Sequence, residues 1–177
     1  FGQTEFAVRL GALGCWMITA LYLYKLTHAV SGEAAAFRAM LLDAVLPVFF
    51  GNGLIMTPDA PLIACWAGAL YYLHRALIAE RRGAWLGIGV FMGFGLLSKY
   101  TIILLGLSAI SFLIIDRDAR KWWRRSEPYL ALLAALALFS PVILWNAQHQ
   151  WASFAFQGTK RLAGDFNFSL PALLGAV

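Results

Sequence analysis

Long apolar runs separated by short polar stretches make up most of this chain, and their spacing predicts membrane-crossing helices. A helix needs about 20 apolar residues to traverse a hydrocarbon core of roughly 30 Å, and somewhat fewer where flanking side chains snorkel. Six stretches meet or approach that length: Phe6–Tyr24, Ala39–Met56, Ala60–Leu77, Ala84–Leu97, Thr101–Ile115 and Tyr129–Trp145. A seventh begins at Leu170. Pro47 is expected to bend the second, and Pro141 lies near the end of the sixth. The fourth carries Gly87, Gly89, Gly93 and Gly95, which suits close approach of helix backbones. The pattern predicts an all-α, polytopic transmembrane helical bundle.

Composition strengthens this reading. The 177 residues are 61% hydrophobic and 13% charged, whereas a soluble domain is about 45–50% apolar and about 25% charged. One aqueous core would leave too much apolar surface uncovered. No signal peptide is evident at Phe1, and Val177 falls inside an apolar run, so the expectation is an internal part of a longer polytopic protein. Cys15 and Cys65 lie in apolar runs without metal or redox spacing and are expected to pack.

The net charge of +5 would suggest nucleic acid in a soluble protein, but here it reports topology. Lys25, Arg38, Arg75, Arg81, Arg82, Arg117, Arg120, Lys121, Arg124 and Arg125 follow the first, third and fifth stretches, and only Arg9, Lys99, Lys160 and Arg161 belong to the opposite side. Basic connections stay cytoplasmic, so nucleic acid is not needed to explain them. The tryptophans at 122 and 123, set among basic residues, fit a loop anchored on an anionic leaflet.

This topology collects three polar groups on the non-cytoplasmic side: Thr57 to Pro61, Ser98 to Tyr100, and Trp145 to Arg161. Asp59, between two prolines, suits a helix N-terminus as a cap, or alternatively a carboxylate facing a polar cavity and tuning a basic neighbour. Lys99 interrupts an apolar stretch, which is costly unless it snorkels, pairs or binds an anion such as a lipid phosphate. Tyr100 could add a hydrogen bond. Asn146, His149, Trp151 and Gln157 lie in a segment dense in amides and rings, which suits either an interfacial belt or a surface that stacks on sugars. Asp43, inside the second stretch, either pairs with Arg38 or faces a polar interior. No histidine or cysteine stands at metal-ligand spacing, and nucleotide, hydrolase and metalloprotease motifs are missing.

Taken in order, four motifs resemble the bacterial glycosyltransferase family 39 proteins, relatives of dolichyl-phosphate-mannose protein mannosyltransferases and of the lipid A aminoarabinose transferase. They are Phe1-Gly2-Gln3-Thr4-Glu5-Phe6-Ala7-Val8-Arg9-Leu10, Met56-Thr57-Pro58-Asp59-Ala60-Pro61-Leu62, Gly95-Leu96-Leu97-Ser98-Lys99-Tyr100-Thr101, and the segment from Pro141 to Gln157. The resemblance implies a GT-C fold, with residues 1–177 forming the middle of one transmembrane domain. The first helix, the catalytic loop bearing the expected general base, and the C-terminal remainder would lie outside the chain, leaving it inactive alone.

The implied reaction transfers a sugar from a polyprenyl-phosphate donor to a lipid or protein acceptor on the periplasmic side of the bacterial inner membrane. Membrane lipids, donor and acceptor are the implied partners. Lys99, with Tyr100, would bind the donor phosphate, and Asp59 would be a catalytic residue orienting acceptor or donor. His149, Trp151, Asn146 and Gln157 would wall the cavity. No cofactor is implied, and a metal requirement is left open. The alternative is a secondary transporter or channel segment, although such proteins place polar groups near the midplane and often show repeats.

Overall fold

The computed structural model describes residues 5–156. Among them every regular element is helical: α1 (Glu5–Ser31), α2 (Glu33–Val45), α3 (Pro47–Leu54), α4 (Asp59–Leu77), α5 (Ala84–Ser98), α6 (Ile103–Ile115), α7 (Glu127–Gln148) and α8 (Ala152–Ala155), with 3-10 turns at Tyr100–Ile102 and Ala119–Arg124. The chain divides into two compact units, Phe1–Ser140 and Pro141–Val177. The expected seventh stretch lies outside the described residues.

Among the described residues two helices, α1 and α7, are long and apolar enough to cross a membrane. At 27 residues α1 is about 40 Å long, because helix-forming residues carry the pattern past Tyr24 to Ser31. The second stretch differs more from expectation. Leu46 is extended (φ −66°, ψ 124°), and Pro47 occupies the first turn of a new helix, so the proline separates α2 from α3. The residue before a proline is driven out of the helical region, and proline itself suits a helix start.

Within α7, Pro141 has no N–H to offer the Ala137 carbonyl. The Ser140 hydroxyl supplies that bond at 2.7 Å. The exterior of the first unit is strongly apolar, with Val45 and Ile115 each 76% exposed and Leu104 and Leu133 also outward. Water-soluble surfaces rarely present such continuous apolar area, whereas lipid tails accept it.

The core of the first unit runs through Ala69, Leu73, Trp85, Ile88, Leu105 and Leu113, closed by Trp122 and Ala131. Glycines on α5 set its approach to the neighbouring helices: a Cβ on Gly89 would lie 2.4 Å from the Ala131 carbonyl oxygen, and one on Gly87 would meet the Tyr72 ring at 2.6 Å. Cys65 is buried beside Leu62 and Ile102, and Cys15 is half-buried and free. Trp122 departs from the anchoring expectation. The 3-10 turn directs it inward, where it is 1% exposed and packs on Trp85 at 5.3 Å, with the Arg125 guanidinium 5.2 Å from its ring. Trp123 is the partly exposed member of the pair.

The basic connections gather at one end of this unit. The ends of α1 and α4 share a cavity lined by Lys25, Arg75 and Arg81. Lys121 donates to Glu80 at 2.5 Å, and Arg82 lies 3.7 Å from Glu127. Glu80 adopts a left-handed φ of 54°, which turns the chain back after α4. The Lys121 ammonium holds the Glu80 carboxyl below its ordinary value of 4.5.

A carboxylate with a lowered folded-state pKa contributes stability above its unfolded value and loses it as pH falls through the folded value. Wild type and Glu80→Gln should therefore melt apart at neutral pH and converge as acid protonates Glu80. Thermal melts across the carboxylate range check this, and a gap that does not narrow in acid contradicts it.

Candidate functional site

The opposite end of the first unit is built from the start of α4 and the end of α5. Pro58 and Asp59 open α4, where the helix dipole favours a carboxylate, yet no side chain caps the helix by hydrogen bonding. Asp59 instead reaches across 40 residues to Lys99, whose ammonium donates to its carboxylate at 2.8 Å. Lys99 terminates α5 in an extended conformation (φ −157°, ψ 133°), its backbone N–H bonded to the Gly95 carbonyl at 2.9 Å. The neighbouring Ser98 hydroxyl donates to the Pro58 carbonyl at 2.5 Å. Two adjacent residues at the end of α5 thus grip two adjacent residues at the start of α4.

This pair is neither buried nor free in solvent: the Lys99 and Asp59 side chains are 39% and 48% exposed. At that exposure an ion pair stabilises the fold by at most about 1 kcal/mol. Its larger consequence is geometric, because it holds an ammonium at the rim of an apolar bundle. An ammonium has three N–H donors, so one can remain with Asp59 while others face an incoming anion. Tyr100 begins the following 3-10 turn, its ring edge-on to Phe139 at 5.8 Å. The Thr57 hydroxyl, two residues before Asp59, is buried without a hydrogen-bond partner among the described residues.

The second unit carries three of the other sequence candidates. Asn146 is fully buried, and its side chain is occupied by backbone: Nδ2 donates to the Val142 carbonyl at 2.9 Å, and Oδ1 accepts from the Ser153 N–H at 3.1 Å. The Asn146 carbonyl also accepts from the Trp151 N–H at 2.8 Å. Asn146 therefore shapes the turn that follows α7. His149 stacks on Trp145 at 4.2 Å with Nδ1 against the Trp145 carbonyl at 2.8 Å. Trp151 is exposed, and both Gln150 (φ 53°) and Trp151 (φ 59°) are left-handed. That conformation is unfavourable for bulky residues and concentrates at functional segments. Gln157 lies outside the described residues.

Asp43 does not pair with Arg38. It is 3% exposed, and neither carboxylate oxygen has a hydrogen-bond partner among the described residues. It borders a cavity of about 10 Å³ with Trp16, Thr19 and Phe49, at the lower limit for one water. The direct contact between Asp59 and Lys99 was not evident from sequence. The available signal was that both sit at helix ends on the same side, where few other charges occur.

The family model described as dolichyl-phosphate-mannose-protein mannosyltransferase matches residues 1–145. Three similar proteins are each named undecaprenyl phosphate-alpha-4-amino-4-deoxy-L-arabinose arabinosyl transferase, the last of them as number 2. The protein from Yersinia enterocolitica is 31% identical over 85% of this chain and 28% of its own length. That from Edwardsiella ictaluri is 27% identical over 98% of the chain and 34% of its own length. That from Proteus mirabilis is 26% identical over 93% of the chain and 32% of its own length. The chain thus spans about a third of the length of the curated relatives it matches. No solved structure matches it. With the family model covering most of its length, the chain belongs to the dolichyl-phosphate-mannose-protein mannosyltransferase family.

Proposed function

We propose that the whole protein is an integral membrane glycosyltransferase that moves a sugar from a polyprenyl-phosphate donor to a lipid or protein acceptor on the non-cytoplasmic face of the bacterial inner membrane. The observation that carries this reading is the Lys99 ammonium, held by Asp59 at the rim of an apolar bundle. The names of the relatives, which specify an undecaprenyl-phosphate sugar, support the donor class. This chain would contribute six membrane segments of a longer GT-C-type domain, with the basic end cytoplasmic.

In this mechanism the Lys99 ammonium binds the donor phosphate. The acceptor nucleophile bonds to the anomeric carbon and gives its proton to a general base supplied elsewhere in the whole protein. Meanwhile the sugar–phosphate bond breaks, its electron pair passes to the phosphate oxygen, and Lys99 stabilises the added negative charge. Tyr100 assists at the phosphate. Asp59 acts as a positioning residue, since its carboxylate is engaged with Lys99 rather than poised to take a proton. Within the second unit, taken by itself, Asn146 shapes the turn that carries His149 and Trp151, whose polar and aromatic surface suits a sugar.

The test uses the full-length protein in proteoliposomes containing a polyprenyl-phosphate-linked aminoarabinose and a lipid A acceptor. Sugar transfer to the acceptor is expected. Transmembrane uptake of substrate without any transfer would overturn the reading in favour of a transporter.

A further inference from the structure

At the end of the first unit remote from Lys99, the last turns of α1 and α4 and the connection after α4 line an open cavity of about 400 Å³. Lys25, His28, His74, Arg75 and Arg81 line it, together with Tyr71, and among the described residues no carboxylate does. We propose that this cavity binds a phosphate-bearing anion, either the headgroup of an anionic membrane lipid or free phosphate. The proposal is independent of the sugar-transfer reading. Along α4, Asp59 and Arg75 are about 24 Å apart, so the two anion sites would lie at opposite ends of the helix.

Charge at helix C-termini favours one or two basic residues by itself. It does not account for their convergence. Lys25 Nζ lies 5.4 Å from the Tyr22 ring and 6.0 Å from the Tyr71 ring, while the Arg75 guanidinium lies 5.8 Å from the same Tyr71 ring. Two cations against one aromatic ring repel each other, and an anion in the cavity that both line removes that cost. The nearby acids are committed elsewhere: Glu80, adjacent to Arg81, accepts from Lys121, and Glu127 pairs with Arg82.

His74, one of the wall residues, has a buried Nδ1 without a hydrogen-bond partner among the described residues, an unmet polar demand beside the cavity. The volume falls in the range of small-ligand sites, about 300–1,000 Å³, and arginine with lysine is the usual set for phosphate. Val30 and Ile78, at the same helix ends, are 63% and 62% exposed. Apolar surface beside a basic pocket fits acyl chains next to a headgroup.

Native mass spectrometry of the full-length, delipidated protein tests this with phosphatidylglycerol, phosphatidylcholine and inorganic phosphate as separate probes. Phosphatidylglycerol should be retained at least about tenfold over phosphatidylcholine, with about fivefold lost per basic side chain removed and about twenty-five-fold in Lys25→Ala/Arg75→Ala. Displacement of the lipid by inorganic phosphate would identify the phosphate group alone as the ligand. No displacement would identify the lipid headgroup with its chains. Where the double variant does not insert into the membrane, Arg81→Gln, at an exposed connection, is read instead, and about fivefold weaker retention supports the site. Equal retention of both lipids without phosphate binding, or retention unchanged by these substitutions, overturns it.

Discussion

Lys99→Ala in the full-length protein is expected to lower kcat for sugar transfer by roughly 10²–10³-fold, the usual cost of removing one group that stabilises charge developing in a transition state. The fold should tolerate the change, since a pair this exposed contributes at most about 1 kcal/mol. Insertion and melting temperature should therefore stay near wild type. Asp59→Asn leaves the ammonium in place but untethered, so its loss should be smaller and divided between KM and kcat. If Asp59 acts through Lys99, Lys99→Ala/Asp59→Asn should be little worse than Lys99→Ala alone, because residues in one network are not additive. Steady-state kinetics on the four proteins decide the matter. Wild-type kcat in Lys99→Ala would remove the phosphate role, and additive losses would give Asp59 a function of its own.

Gly89→Ala carries the largest expected effect on stability. The new Cβ would stand 2.4 Å from the Ala131 carbonyl oxygen and 2.9 Å from its Cα, so backbone must move to admit it. Overpacking of this kind costs about 1–3 kcal/mol, occasionally more, and α5 and α7 would have to separate. Gly83→Ala is the control: it precedes α5 with ordinary helical geometry (φ −63°, ψ −15°) and has nothing within 4 Å. There alanine should stabilise by about 0.4–1 kcal/mol through the unfolded chain. Gly95→Ala should fall between them, since its closest neighbour, at 2.1 Å, is the end of the Ile102 side chain, which can rotate away. Thermal unfolding in detergent ranks the three. Equal melting temperatures for Gly89→Ala and Gly83→Ala would contradict the close contact.

Apolar periodicity was sufficient to locate α4 and α5. The expected Ala60–Leu77 and Ala84–Leu97 match Asp59–Leu77 and Ala84–Ser98 to within a residue at each end, because proline, glycine and charge mark those ends. At Pro47 the pattern was insufficient, since one apolar run reads the same whether its proline bends a helix or separates two. Trp122 shows the converse limit. A tryptophan among arginines looks interfacial, yet the packing of the 3-10 turn on Trp85 decides its burial.

The sequence alone determined that this chain is helical and apolar, and that its basic residues fall in alternate connections. It also placed Asp59 and Lys99 at helix ends, because periodicity and charge are local properties of the chain. Only the tertiary structure decided that Asp59 and Lys99 form one ion pair and that the Asn146 amide is consumed by backbone. It also decided, between the two settings open to Asp43, against pairing with Arg38, and that Lys25, Arg75 and Arg81 line one cavity. Each of these depends on which way a side chain turns once helices pack, and hydrophobic spacing carries no information about that.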